Sequence, residues 1–205
     1  MDSWILPKPT NHLIQISKSE AFQKSNNLNR KNMEKILRRI ANIVGTGRLF
    51  KFLFNISPMY RRSGGRIVAA TNSLNYVKIK LRLNLRTRNY VGTLYGGHMY
   101  SCVDGIYMVQ LINILGKKYV VWDKAATIKF KRPGTQRLFA EFKISDELIE
   151  KIKTDVEKED EIDLVLNVNL VDQTGLVYAE VEKVIYISSK EFFKKKQLER
   201  AEEVK

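Results

Sequence analysis

Residues 97–115 constrain this chain more than any other stretch. Met99, Tyr100, Val103, Ile106, Tyr107, Val109, Leu111, Ile112, Ile114 and Leu115 run nearly all the way round a helix. A helix apolar on most sides has to be buried, so the rest of the domain must wrap around it. Between Asn89 and Gly116 the single formally charged side chain is Asp104. A carboxylate in such surroundings costs several kcal/mol unless it is paired, solvated or neutralised. On helical spacing it shares a narrow face of mostly small and polar residues with Gly97, Ser101, Gly105 and Met108.

The flanking segments alternate with a period of two. Val77, Ile79, Leu81 and Leu83 alternate with Tyr76, Lys78, Lys80 and Arg82, after a short strand at Arg66–Thr71. After Gly116 the same pattern predicts strands over Tyr119–Phe130, Arg137–Ile144, Ile162–Val171 and Leu176–Ser188. Asp172-Gln173-Thr174-Gly175 reads as a hairpin turn joining the last two. A short helix lies between them and the earlier strands. Ser145 is its N-cap, Asp146 and Glu147 suit its first turn, and Leu148, Ile149, Ile152 and Val156 form its stripe. Alternating strands predict an antiparallel sheet packed on one face. The expected class is α+β: a curved antiparallel sheet wrapped around one long central helix. One helix leaves sheet edges and surface uncovered, which predicts at least a dimer.

The ends of the chain differ from this middle. Residues 1–31 show no periodicity and read as a flexible basic extension. Residues 32–60 hold two short amphipathic helices. Met33, Ile36, Leu37, Ile40, Ile43 and Val44 end at Gly45; Leu49, Phe50, Leu53 and Phe54 end near Pro58. The main domain is expected over 61–189, with a charged C-terminal tail over 190–205. The net charge of +14 is concentrated in residues 1–66, which carry 13 Lys/Arg against 3 Asp/Glu. Such an arm could touch an anionic surface. No zinc-finger, helix-turn-helix or RNA-binding signature accompanies it, so nucleic-acid recognition is not expected. Within 89–116, Asp104 together with Gly92, Gly96, Gly97 and Gly105 argues against a membrane span. With no visible signal peptide, a cytoplasmic protein is expected. One cysteine, Cys102, and two histidines exclude a disulfide framework and a His/Cys metal site. Cys102 and Trp122 read as core packing.

The element order, together with Asn89-Tyr90-Val91-Gly92-Thr93-Leu94-Tyr95-Gly96-Gly97 followed by Asp104, resembles the hotdog-fold thioesterase superfamily. The pattern is similar to that of phenylacetyl-CoA-type thioesterases, N-x-x-G-x-x-H-G-G with an acidic residue on the central helix. The resemblance covers roughly residues 61–188, and Val121-Trp122-Asp123-Lys124 points to a mostly uncharacterised branch. It implies a hydrolase acting on an acyl-CoA or acyl-carrier thioester without a metal or cofactor. It also implies a homodimer or dimer of dimers with sites shared between subunits. Asp104 matches the catalytic carboxylate, and Asn89, from the opposite subunit, the residue that positions water or the carbonyl. Gly96, with Gly97 beside it, matches the backbone N–H that receives the carbonyl oxygen. Asp123 matches a polar helper; its plainer reading is a structural ion pair. The resemblance departs at Tyr95, which replaces the family histidine; His98 lies beyond the glycines.

Physical chemistry agrees with these assignments. Thioester hydrolysis needs a base and a place for a developing oxyanion, and the first N–H groups of a helix are unpaired. Arg86, Arg88, Lys131 and Arg132 are candidates for a basic rim facing coenzyme A phosphates. Tyr95 leaves open a non-catalytic acyl-CoA-binding or regulatory protein. Hydratase chemistry needs a histidine paired with a carboxylate, and neither His12 nor His98 sits well for it.

Overall fold

The computed structural model describes residues 32–33, 35–37 and 39–203. The flexible extension expected over 1–31 lies outside the described residues. Two compact units divide at Gly45. In the first, the described residues between 32 and 44 are helical. Gly45 closes that helix, its N–H donating to the Ala41 carbonyl at 2.8 Å.

The second unit, Thr46–Lys205, opens with α1 (Thr46–Ile56) and α2 (Pro58–Arg62). Asn55 ties α1 to the first strand. Its Nδ2 donates to the Ile67 carbonyl and its Oδ1 accepts from the Ile67 N–H, both at 2.9 Å. The two helices expected together over 32–60 therefore fall into different units. The sheet follows: β1 (Gly65–Ala70), β2 (Tyr76–Leu81), β3 (Tyr119–Phe130), β4 (Leu138–Lys143), β5 (Glu161–Val171) and β6 (Val177–Ser189). Its six strands pair in the order β1-β2-β4-β5-β6-β3, every pair antiparallel. The Asp172 carboxylate closes the β5–β6 turn by accepting from the Thr174 and Leu176 N–H groups. Ser145 caps α5 (Asp146–Glu159) as expected, accepting from the Leu148 N–H at 3.2 Å.

Two helices lie in the central segment, α3 (Gly96–Ser101) and α4 (Ile106–Leu115). The sequence pattern predicts one continuous helix over 97–115; the structure interrupts it at 102–105. Gly105 is the cause. Its φ of 72° is left-handed, a conformation that glycine adopts without steric cost. α4 packs into the sheet as expected. The Tyr107 ring stands edge-on to Phe142 of β4, 4.9 Å between centroids, and its hydroxyl donates to the Asn167 carbonyl at 3.0 Å. Ile106 and Leu111 join Ile79, Leu81, Phe142, Leu170, Ile185 and Ile187 in one core. α6 (Lys190–Glu203) ends the described chain and packs on the outer side of β6, where Phe193 meets Tyr186.

Candidate active site

The loop before α3 is a braced turn. Arg88 and Leu94 bridge, and the Asn89 N–H donates to the Thr93 carbonyl at 2.7 Å. The Asn89 side chain completes the turn. Its Nδ2 donates to the Thr93 hydroxyl at 2.9 Å, and its Oδ1 accepts from the Thr93 N–H at 3.0 Å. In this chain the amide that the motif assigns to positioning water holds its own loop, because Thr93 offers both partners within reach. Among the described residues no hydrogen bond or ion pair joins Asn89 to Asp104.

Tyr95 is the residue before α3 and takes an extended backbone. Its ring is more than half exposed, edge-on to His98 at 5.8 Å, and lies across Gly97. A Cβ on Gly97 would come 2.3 Å from that ring, and one on Gly96 would come 2.9 Å from the ring of Phe130. Two aromatic rings approach this glycine pair closely, and neither glycine has an unusual φ. The N–H groups of Gly96 and Gly97 donate no hydrogen bond among the described residues. His98 Nδ1 is 3.0 Å from the Ser63 carbonyl, an acceptor, so that nitrogen is the donor of the pair.

Asp104 sits in the break between α3 and α4, with a side chain 47% exposed. It is paired. Lys183 Nζ donates to its Oδ1 at 2.6 Å, and the Tyr100 hydroxyl donates to the same oxygen at 3.1 Å. Lys183 itself is buried, 3% exposed, and its ammonium lies 3.2 Å from Asp123 Oδ1, off hydrogen-bond geometry. Its Nζ stands 5.5 Å from the centre of the Tyr100 ring. The structure thus brings together Asp104 and Asp123 through a lysine that the motif does not contain.

Strand alternation explains the placement. Val181, Ile185 and Ile187 of β6 are buried, and Lys183 falls in the same register. Asp123 pairs opposite Ile185 and so faces the same side. Just beyond it, at Lys124, a bulge interrupts β3, of the kind that re-aims side chains. Lys183 had a sequence signal: a lysine on the apolar phase of a period-two strand.

Burial shapes the electrostatics. It pulls the Lys183 ammonium down, but the Asp104 hydrogen bond and the charges of Asp123 and Asp104 outweigh it and leave the group above its ordinary range. Burial pushes the Asp123 carboxyl above the usual aspartate range, only partly offset by Lys183. Burial, then the Asp104 charge, raises the Tyr100 phenol, which stays protonated and able to donate. Cys102 is fully buried, which drives its thiol up and keeps it out of nucleophilic chemistry.

One sequence reading changes. Trp122 is 57% exposed, because it lies opposite Tyr186 on the face of the sheet away from α4. There it lines a 360 Å³ groove with Tyr186, Phe193, Lys196 and Arg200. Of the basic rim candidates, Arg132 donates to the Val177 carbonyl and Lys131 pairs with Glu180 at 3.0 Å; Arg86 and Arg88 are exposed. Among the described residues no group of three His, Cys, Asp or Glu side chains could hold a metal, and no helix is long and apolar enough to cross a membrane.

A family model described as a domain of unknown function, DUF4442, matches residues 46–187. Comparison with curated proteins finds no significant match. Solved structures share the architecture. A Pseudomonas aeruginosa protein of unknown function superposes with a TM-score of 0.60 at 20% identity, over 69% of this chain and 95% of its own. A Chlorobaculum tepidum protein of unknown function gives 0.56 at 14% identity, over 71% and 98%. A thioesterase of Haemophilus influenzae gives 0.51 at 12% identity, over 70% and 91%. The expected α+β hotdog fold is the fold observed.

Proposed function

The chain belongs to the DUF4442 family and has the hotdog fold of thioesterases, and from this we propose that it hydrolyses acyl thioesters, carried on coenzyme A or a carrier protein, with Asp104. One observation supports the reading above the others. The single carboxylate of the apolar segment is half-exposed, anchored on one oxygen and open on the other. In the proposed reaction Asp104 takes a proton from water as the water oxygen bonds to the thioester carbonyl carbon. The carbonyl oxygen gains charge facing the open N–H groups of Gly96 and Gly97. The C–S bond then breaks, sulfur leaves with the bonding pair, and the proton held by Asp104 passes to the thiolate. The products are a carboxylic acid and a free thiol.

The same proposal includes a homodimer or dimer of dimers. β3 is an edge strand of twelve residues, with Trp122 and Phe130 exposed along it. Pairing two such edges would cover a surface otherwise open to aggregation. Light scattering at micromolar concentration should give a dimer mass or a multiple of it; a monomer alone removes this part and any role for Asn89 in a partner's site.

The test is hydrolysis of a panel of acyl-CoAs, with released thiol measured, for wild type and Asp104→Asn. Turnover by the wild type that the variant loses supports the reading. The exposed Tyr95 ring over Gly97 favours a second reading, an acyl-CoA-binding or regulatory protein. Saturable acyl-CoA binding without turnover would establish it.

A further inference from the structure

Both donors that reach Asp104 use the same atom. Lys183 Nζ and the Tyr100 hydroxyl each donate to Oδ1, at 2.6 and 3.1 Å. Among the described residues none donates to Oδ2, and the side chain is half-exposed. A carboxylate held this way has its rotation about Cβ–Cγ fixed, one oxygen committed to the protein and the other to whatever enters. Lys183 is itself held. Asp123 lies behind it at 3.2 Å, the Tyr100 ring flanks it, and its stem is buried. Tyr100 stands four residues before Asp104, so one turn of backbone sets both ends of their hydrogen bond.

From this geometry we infer that Lys183 is a positioning residue which, backed by Asp123 and assisted by Tyr100, locks Asp104 so that Oδ2 is the oxygen that meets water at the thioester. The inference rests on the hydrolase reading for its kinetic consequence, but the anchoring of Asp104 stands apart from turnover. Asp123 thereby changes role, from contacting substrate to holding the cation that orients the base. An ammonium on a flexible stem is a point charge with three donors. Its position comes from Asp123, the Tyr100 ring and its buried stem, and without them it would not orient the carboxylate. Orientation of this kind acts on the chemical step more than on binding, since small misplacements of a reacting group are costly.

The experiment compares Lys183→Met, Lys183→Arg, Asp104→Asn and the double variant Asp104→Asn/Lys183→Met. On the best acyl-CoA of the panel, Lys183→Met should lower kcat by ~30-fold or more while KM moves by less than about threefold. Lys183→Arg, which keeps a donor and the charge, should recover part of the loss. If Lys183 acts through Asp104, the double variant should be no slower than Asp104→Asn alone; multiplicative losses would overturn the inference. Tyr100→Phe should cost only a fewfold in kcat. Thermal melts on each variant report folded fraction, and a kcat loss that merely tracks it also overturns the inference. The second readout does not need turnover. In protein carrying ¹³C-labelled aspartate carboxyls, the Asp104 resonance, assigned through Asp104→Asn, should move in Lys183→Arg. It should stay in place in Lys78→Met, which removes a surface lysine. An unmoved resonance in Lys183→Arg overturns the anchoring. A resonance that moves in Lys183→Arg while the wild type cleaves no thioester overturns the hydrolase reading and leaves the anchoring in place.

Discussion

Two lysine–carboxylate clusters touch opposite faces of β6. On the face under α4, Lys183 is 3% exposed and joins Asp104 and Asp123. On the outer face, Lys196 of α6 reaches both oxygens of Glu161 at 2.6 Å, and the Tyr186 hydroxyl donates to Glu161 Oε2 at 2.6 Å. The distances are alike, yet the surroundings are not. Lys196 and Glu161 are each 31% exposed, so water screens them and returns much of their solvation. Lys183 has lost its water, and its charge is tolerable because two carboxylates face it. The outer cluster fastens a helix to the sheet. The inner one stores a cation beside a carboxylate that still sees solvent, an arrangement expensive for stability and suited to chemistry.

The sharpest way to break the contrast is Asp104→Asn. It removes one charge and nearly keeps the shape. Thioester turnover should fall by ~100-fold or more, the scale of a positioned acid or base. Chemical denaturation should show little loss, because Asp123 still faces Lys183. Full activity in this variant would end the proposed role of Asp104. Next comes Lys183→Met, read as stability: the half-buried Asp123 loses its cation, and urea unfolding should show a loss of about 3 kcal/mol. Lys196→Met should cost only about 0–1 kcal/mol. Equal losses in the two would mean that burial does not distinguish the clusters.

A smaller effect belongs to Asn89. Asn89→Ala deletes two hydrogen bonds to Thr93 and should cost about 1–2 kcal/mol, from a net worth of about 1 kcal/mol per bond. If Asn89 also serves a partner's site, the activity loss will exceed what the folded fraction explains. The smallest effect is in pH. The Lys196 hydrogen bond, then that of Tyr186, holds the Glu161 carboxyl below its ordinary range. A depressed carboxylate adds stability above its unfolded value, and that stability is lost as pH falls through the folded one. Glu161→Gln should therefore flatten the acid side of the stability–pH curve by less than about 1 kcal/mol, while leaving neutral-pH turnover unchanged. A curve identical to the wild type would show that the outer cluster contributes nothing measurable.

Much of this molecule is legible in its amino-acid sequence. Period-two alternation marks β2, β4, β5 and β6, because a sheet packed on one face imposes that pattern directly on sequence. Ser145 and Asp172-Gln173-Thr174-Gly175 announce a helix start and a hairpin because caps and tight turns are local events. The apolar segment marks the buried helix, and its one carboxylate marks the proposed site. What sequence periodicity does not carry is decided in three dimensions. The helix break at Gly105 depends on a left-handed φ that a glycine permits but does not announce. Asn89 becomes a loop brace because Thr93 lies within reach of both ends of its amide. The ring of Trp122 goes to the outer face because the register sets it opposite Tyr186, with Asp123 turned inward. Above all, Asp104, Asp123 and Lys183 lie far apart along the chain. Only the pairing of β3 with β6 under α4 brings the two carboxylates to one ammonium, since contact between distant residues is a property of the assembled sheet.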